Sequence, residues 1–212
     1  MCMELKKNNK FIINDLKYNL GNYIIPSDTK NGIAVDIGSN NGCFLNAFKD
    51  HFSKIDGYEA NFFLVEKLKE RFNGSDNINI YNKAVSFEDN RVLKLLAHKY
   101  SNDNGSSSIE KNTHDQDWEE FICEVESISL ESILKKCNNK IDYMKIDCET
   151  SEYEFLINKD LSNIKYIAIE LHCQLGIEKY TELYEWICKT HIANQNVRFN
   201  YGSHQEILFK LK

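Results

Sequence analysis

Residues 36–42 of the sequence, DIGSNNG, combine an acidic residue with two glycines that bracket three small polar residues. A turn opened at Gly38 and Gly42 lets a ligand approach the backbone, and a helix N-terminus behind the turn favours negative charge. A dinucleotide site has the pattern G-x-G-x-x-G, whose middle glycine admits a pyrophosphate, but Asn40 stands there in this chain. The segment therefore predicts a site for a smaller ligand that carries a carboxylate.

An acidic residue follows this turn at the spacing of a nucleoside site. Glu59 lies about twenty positions beyond the turn, where a carboxylate can bind the ribose hydroxyls. A nucleoside that carries a carboxylate describes S-adenosylmethionine better than NAD, so we predict S-adenosylmethionine as the cofactor. Two alternatives stay open: a nucleoside- or NAD-binding oxidoreductase of the same Rossmann-like fold, and a module that binds the nucleoside without catalysis.

Charged residues also end two later strands. The run IDYMKIDC at 141–148 is apolar enough for a central strand, yet Lys145 and Asp147 lie on the same side of it. Charges in a central strand need partners or water, so we expect both near its C-terminal end, with a purely structural ion pair as the alternative. The next predicted strand ends in the same way, at Glu170 and His172.

Strand and helix patterns alternate along the chain and place these residues together. Ligands of an open parallel sheet collect outside the carboxyl ends of its strands, where all the residues above are expected. We predict a three-layer α/β/α Rossmann-like fold with a mostly parallel seven-stranded sheet. The predicted parallel strands cover 33–37, a segment ending at 59, 78–85, 141–148 and 164–172, and further strands are expected at 92–97 and 123–129.

The two ends of the chain carry additions to this core. Residues 197–201 and 207–211 predict a C-terminal antiparallel hairpin that closes the sheet. Residues 1–30 form a predicted N-terminal helical extension, because residues 11–20 have apolar positions at helical spacing and a glycine follows as a C-cap. The Rossmann-like domain then takes up residues 31–212.

Composition limits the class of protein. The 212 residues are 42% hydrophobic, which suits one domain with a sizeable core, and the net charge is −6. No stripe of Lys and Arg with interleaved aromatics is visible, so nucleic acid is a poor candidate for the acceptor. No apolar run approaches a membrane span, and no signal peptide is visible.

The cysteines point to a reducing compartment. The chain has seven cysteines and no C-x-x-C pair, and several of them fall in apolar runs, which is typical of reduced thiols. We therefore expect a soluble, cytoplasmic protein. The sequence says nothing about its oligomeric state.

Seven segments of the sequence resemble those of the FkbM-type class I methyltransferases. They are VDIGSNNGCF, YEAN, NKAVS, GSSSI, VESISLESIL, IDYMKIDCETSEYEFL and YIAIELH, and they occur in family order over roughly residues 31–172. The resemblance implies an enzyme that uses S-adenosylmethionine to methylate a hydroxyl group, often of a sugar, so the expected partner is a small-molecule or glycan acceptor. Methylation of a non-sugar small molecule stays open. Two positions depart from the family pattern: Ala60 replaces a proline, and Thr150 replaces a glycine.

The resemblance also implies how the cofactor is held. It places Asp36, Gly38, Ser39, Asn40 and Gly42 around the methionine part of the cofactor. Glu59 would hold the ribose with Ala60 beside it, the backbone of Ala84 and Val85 would lie near the adenine, and Asp147 would lie close to the methionine amine or the methyl group.

The candidate catalytic residues are Asp147, His172, Lys145 and Glu149. A weakly nucleophilic hydroxyl benefits from a base, and we choose His172 because imidazole titrates near neutral pH, with a hydrogen-bonded histidine at a strand end as the alternative. Glu149 with Asp147, Glu170 or His172 could bind Mg²⁺, so a divalent metal is possible but not expected. Residues 98–119 form a polar segment, and the 103–108 loop within it could close over the acceptor with its serines bonding sugar hydroxyls, or could be disordered. Glu152 could simply stabilise a helix start.

Overall fold

The computed structural model describes residues 3–4, 16–20, 23–98, 107–108, 118–195, 198–199 and 204–212 of the chain. The helices are α1 (Cys43–Phe48), α2 (Phe62–Arg71), α3 (Leu130–Lys136), α4 (Glu152–Leu156) and α5 (Ile177–Thr190), with 3-10 turns at Ser27–Thr29 and Cys173–Leu175. The strands are β1 (Met3–Glu4), β2 (Leu16–Leu20), β3 (Tyr23–Pro26), β4 (Ile33–Ile37), β5 (Lys54–Glu59), β6 (Ile78–Asn82), β7 (Ala84–Ser86), β8 (Val92–His98), β9 (Ser107–Ser108), β10 (Trp118–Ser129), β11 (Tyr143–Ile146), β12 (Tyr166–His172), β13 (His191–Ala193), β14 (Arg198–Phe199) and β15 (His204–Leu211).

The main sheet has seven strands in the order β13-β15-β12-β11-β4-β5-β6. Strands β12, β11, β4, β5 and β6 run parallel, and β15 is antiparallel to both of its neighbours. The strand order reverses at β4, so the carboxyl ends of β4, β5 and β11 leave a crevice at a topological switch point. This arrangement confirms the predicted class I fold with its mostly parallel sheet.

Helices cover both faces of the sheet and form the outer layers. On one face, the buried rings of Phe44 and Phe48 in α1 pack with Tyr143 of β11. On the other face, Phe155 of α4 and Leu183 of α5 join the buried side chains of the central strands. Central strands that are buried on both faces need mostly apolar side chains, and β4, β11 and β12 supply them apart from the charged and histidine residues towards their carboxyl ends.

The closing antiparallel pair uses a different segment from the one predicted. His191–Ala193 pairs with β15, whereas Arg198–Phe199, inside the predicted strand, pairs with Met3–Glu4. The prediction for residues 197–201 was wrong about the partner because alternation of side chains reveals a strand but not its neighbour. Strand β13 escaped notice because three residues directly after a helix are too short to show alternation.

A second, four-stranded sheet in the order β7-β10-β8-β9 stands beside the main one. The predicted third strand, 78–85, is divided between the two sheets. Ile78–Asn82 pairs with β5, and after Lys83 the chain crosses so that Ala84–Ser86 runs parallel to β10. The expected extra strands at 92–97 and 123–129 are present as β8 and β10, which pair antiparallel.

The N-terminal helical prediction is wrong for its described part. Leu16–Leu20 is a strand that pairs antiparallel with Tyr23–Pro26, while residues 11–15 lie outside the described residues. The Gly-Asn pair that separates these strands in the sequence is a hairpin signal, and pairing overrode the helical spacing of the apolar residues. Tyr143 donates a hydrogen bond to the carbonyl of Ile24, which ties β3 to the main sheet.

In the part of the chain that the structure describes, no helix has both the length and the apolar character needed to cross a membrane.

Candidate cofactor cleft and acidic cluster

A cleft opens at the carboxyl ends of β4, β5 and β11, with the second sheet as one wall. The predicted cofactor residues that line it are Gly38, Asn40, Glu59, Ala60, Ala84, Val85 and Asp147. Tyr58, Leu64 and Leu95 add apolar surface near Ala84 and Val85, and Glu149 lines the cleft next to Asp147. The cleft is therefore apolar towards the second sheet and acidic towards the end of β11.

The glycine turn after β4 is shaped by close contacts of the chain with itself. Gly38 has φ +77°, and a Cβ there would lie 1.8 Å from the carbonyl oxygen of Asp147. Gly42 also has φ +77°, and a Cβ there would lie 2.6 Å from the Leu68 side chain on α2. Gly38 thus lets the loops after β4 and β11 meet in the cleft, whereas Gly42 serves the packing of α1 on α2.

Asp36 and Ser39, the two other residues predicted around the methionine, lie beneath this turn and do not line the cleft. Asp36 is completely buried, and Ser39 donates a hydrogen bond of 3.2 Å to the Asp36 carbonyl. The Ser39 hydroxyl would be 2.8 Å from a Cβ at Gly57, so it fills the space above that glycine. With Gly42, these residues support the turn from below.

Glu59 ends β5 and faces both the turn and the cleft. Its carboxylate accepts hydrogen bonds from the backbone N–H groups of Asn40, at 2.7 Å, and Asn61, at 2.9 Å. Burial raises the pKa of Glu59, and these two backbone donors act in the opposite direction. A carboxylate offers about four acceptor positions, so Glu59 keeps capacity for the hydroxyls of a ligand.

Lys145 forms a buried ion pair between two strand ends. Its ammonium group lies 3.3 Å from Asp36 and 3.5 Å from Asp147, and it donates a 2.7 Å hydrogen bond to the Gly38 carbonyl. Burial lowers the pKa of Lys145, but Asp36 and Asp147 outweigh this effect and hold it above its ordinary value. Lys145 does not line the cleft, so its position favours the structural ion pair that the sequence left open.

His172 is buried at the end of β12 and surrounded by carboxylates. Its Nδ1 lies 2.8 Å from Glu152, and its Nε2 lies 3.4 Å from Glu149 and 3.6 Å from Glu170. Burial lowers the pKa of His172, but Glu152 and Glu149 raise it to about 11. Both ring nitrogens therefore face carboxylates, which favours the hydrogen-bonded alternative over His172 as the base.

Glu152 and Glu170 complete this group, which we call the acidic cluster: Asp147, Glu149, Glu152, Glu170 and His172. Glu152 is fully buried, and Glu170 has its pKa raised to about 7 by burial and by Asp147. The predictions gave Glu152 only a role in starting a helix, because an acid in a first helical turn has an ordinary explanation in the helix dipole. The sequence feature that could have indicated a further role is the position of Glu152 three residues after Glu149, close to the end of β11.

Sequence comparison assigns this arrangement to a family. The family model described as the methyltransferase FkbM domain matches residues 36–201, which include the glycine turn, the cleft and the acidic cluster. The chain belongs to the FkbM methyltransferase family. It therefore contains a methyltransferase domain of the class that uses S-adenosylmethionine. A comparison with curated proteins found no significant match.

Solved structures share the fold of this FkbM domain at low sequence identity. The FkbM methyltransferase from Methylobacillus flagellatus KT is 14% identical with a TM-score of 0.50, and the match covers 84% of this chain and 42% of that protein. A putative methyltransferase from Streptococcus mutans in complex with SAH is 11% identical (TM-score 0.48, 86% and 90% covered). An rRNA methylase from Streptococcus thermophilus is 9% identical (TM-score 0.46, 87% and 90% covered).

The loop predicted to close over the acceptor of this FkbM domain, 103–108, lies outside the described residues except for its last two. Within it, Ser107–Ser108 forms β9, which pairs antiparallel with β8 at the far edge of the second sheet from β7. A role for this segment therefore stays a prediction.

Proposed function

We propose that this FkbM domain transfers a methyl group from S-adenosylmethionine to a hydroxyl oxygen of a sugar or glycan. The observation that carries the proposal is the continuity of the cofactor cleft with the acidic cluster. Asp147 and Glu149 belong to both, so an acceptor that approaches the methyl group meets several carboxylate oxygens. Carboxylates accept hydrogen bonds and do not donate them, which suits an acceptor rich in hydroxyl groups.

The cleft has the features that each part of the cofactor requires. Glu59 has acceptor capacity for the ribose hydroxyls, and the apolar surface at Ala84, Val85 and Leu95 suits the adenine ring. Gly38 and Asn40 present backbone to the methionine part. Bound there, S-adenosylmethionine would supply the methyl group, whose bond to sulfur breaks as its bond to the acceptor oxygen forms.

The residues of the chain then have to hold the acceptor in line and remove its proton. Positioning supplies much of the acceleration in such a displacement, and a base adds roughly 10²–10⁴-fold. Glu149 is our candidate base, because this residue lines the cleft, whereas Glu152 is fully buried beneath the cluster. The proton moves from the acceptor hydroxyl to Glu149 as the new O–C bond forms.

The same surface disfavours a nucleic-acid acceptor. Phosphates would approach an acidic cluster on a chain whose net charge is −6, and binding to a phosphate backbone relies on Lys and Arg contacts. We also propose a cytoplasmic location, which the free thiols of Cys43, Cys123, Cys137 and Cys148 support.

The test is transfer of an isotopically labelled methyl group to panels of sugars and glycans, small phenols, and RNA. We expect label on a sugar hydroxyl. Label on a phenol would select the non-sugar alternative, and label on RNA would refute the acceptor class. Binding of S-adenosylhomocysteine without transfer to any panel would indicate a binding module.

A second experiment tests the base. Glu149→Gln should lower kcat by about 10²-fold or more with little change in cofactor affinity, since the amide cannot take the proton. Glu154→Gln is the matched control, because Glu154 is two residues from Glu152 on α4 and contacts Ser86 and Arg91 instead of the cluster. Unchanged turnover in Glu149→Gln would exclude this residue as the base.

A further inference from the structure

Three side chains of the acidic cluster bring metal-ligating atoms together. One oxygen each of Asp147 and Glu170 and one nitrogen of His172 all lie within 4.8 Å of one another. Two ligands of one ion, each bound at about 2.1 Å, are separated by about 3 Å when adjacent and about 4.2 Å when opposite. The three atoms would have to close by up to about 1.8 Å to reach the spacing of adjacent ligands.

Regular secondary structure produces this convergence. Glu170 and His172 are two apart on β12, so their side chains point to the same face. Asp147 directly follows β11, which pairs parallel with β12 through Ile146 and Ile169. The three side chains are therefore fixed at the edge of the sheet by neighbouring strands rather than by loops.

The orientation of His172 points to a ligand at its outer nitrogen. Glu152 is completely buried, and its Oε1 lies 2.8 Å from Nδ1 of His172 and accepts the backbone N–H of the same residue at 3.1 Å. These contacts fix the ring and turn Nε2 towards Glu149 and Glu170. Histidines that bind metals usually have their other nitrogen held by a carboxylate in this way.

The cluster also has more negative than positive partners. Four carboxylates surround one imidazole, and the ammonium group of Lys145, which lies 3.5 Å from Asp147, is shared with the buried Asp36. His204 of β15 lies 3.1 Å from Glu170, but its side chain is 56% exposed. A divalent cation among these carboxylates would add positive charge where negative side chains predominate.

We propose that Asp147, Glu170 and His172 bind a divalent cation, with Mn²⁺ the best match. Two carboxylates and one imidazole suit Mn²⁺ better than Mg²⁺, because nitrogen ligands favour transition metals. Glu152 acts as the positioning residue for His172. Building on the proposed function, the cation would bind the acceptor hydroxyl, lower its pKa beside Glu149 and favour acceptors with two neighbouring hydroxyl groups.

The experiment is a titration of EDTA-treated, purified protein with MnCl2, in which electron paramagnetic resonance measures free Mn²⁺ without cofactor or acceptor present. We expect one saturable site per chain. Glu170→Gln and Asp147→Asn should abolish saturable binding, and Glu152→Gln should weaken it by about 10- to 100-fold. Glu154→Gln, which makes the same change outside the cluster, should bind as the unchanged protein does.

Two readouts keep the result interpretable. Thermal unfolding of each variant in EDTA establishes that it folds, and Asp147→Asn is the safest variant because the Asp147 side chain is 32% exposed. The cation site would be overturned if the unchanged protein showed no saturable Mn²⁺ binding. It would also be overturned if Glu170→Gln and Asp147→Asn bound Mn²⁺ as tightly as the unchanged protein does.

The two proposals fail in different ways. Methyl transfer to a sugar at full rate in EDTA, without Mn²⁺ binding, would remove the cation and leave the proposed function. Saturable Mn²⁺ binding in a protein that methylates no hydroxyl would remove the proposed function and leave the cation site.

Discussion

Glu149 and Thr150 adopt the left-handed backbone conformation, with φ of 50° and 80°, between β11 and α4. For a β-branched residue this conformation is a genuine outlier, and such strain concentrates at functional sites. It brings Glu149 to the cleft, while the buried Glu152 on the following helix holds His172. The resemblance places a glycine at this position, and in this chain Thr150 adopts the positive φ.

The strain at Thr150 can be measured. Thr150→Gly should have a free energy of unfolding about 1 kcal/mol higher than Thr150→Ala, because glycine adopts a positive φ without the Cβ penalty. Both variants lack the hydroxyl group, so their difference isolates the backbone term. Urea denaturation gives the two values, and an alanine variant at least as stable as the glycine variant would contradict the assignment of strain.

Glu59 offers a test of the cofactor cleft. Glu59→Gln should weaken binding of S-adenosylhomocysteine by about 10- to 100-fold, because hydrogen bonds to a charged acceptor contribute about 1.5–3 kcal/mol and an amide nitrogen cannot accept them. Calorimetry measures the affinity. Glu66→Gln, on the exposed side of α2, is the control and should bind normally. Equal affinity in both variants would place the ribose elsewhere.

At the level of elements, Lys145 joins the ends of β4 and β11 from below the cleft. Lys145→Met should lower the free energy of unfolding by about 3–5 kcal/mol, because it leaves Asp36 buried without its ammonium partner. The double variant Asp36→Asn with Lys145→Met should recover most of that loss, since it removes both charges. Chemical denaturation provides the comparison, and a double variant no more stable than Lys145→Met would show that the pair is not coupled.

The elements that surround the cleft were predictable because each has a local signature. An apolar run followed by DIGSNNG specifies a strand and a glycine turn, and parallel strands bring their ends to one edge, so Gly38, Glu59 and Asp147 were placed together correctly. The β2–β3 hairpin was missed because its apolar residues also fit helical spacing, and the Gly-Asn signal between the strands was the better guide.

The chemistry of His172 could not be predicted in the same way. Its ring nitrogens face two carboxylates, Glu152 of α4 at Nδ1 and Glu149 of the preceding turn at Nε2. Sequence gives the ordinary pKa of an imidazole, whereas the tertiary structure supplies these two carboxylates, which raise the pKa. The role as the base was therefore inferred from residue type, and the contacts of the ring favour the hydrogen-bonded alternative.

At the level of the whole molecule, the cleft lies between two sheets, and the chain passes from one sheet to the other between β6 and β7. The chain leaves the main sheet at Lys83, and β7 then supplies Ala84 and Val85 while β8 supplies Leu95. The apolar wall for the cofactor thus belongs to the second sheet, and the polar floor belongs to the first. An ion pair between Lys83 and Glu126 of β10 lies at the crossing.

A ligand that binds between two sheets should stabilise the entire fold. S-adenosylhomocysteine at 100 times its dissociation constant should add about 2.7 kcal/mol to the free energy of unfolding. For a chain of 212 residues this corresponds to a rise in Tm of about 5–10 °C. NAD at the same concentration should leave Tm unchanged, because Asn40 stands where a diphosphate needs a glycine. Differential scanning calorimetry measures both, and a rise with NAD but not with S-adenosylhomocysteine would restore the oxidoreductase interpretation of the cleft.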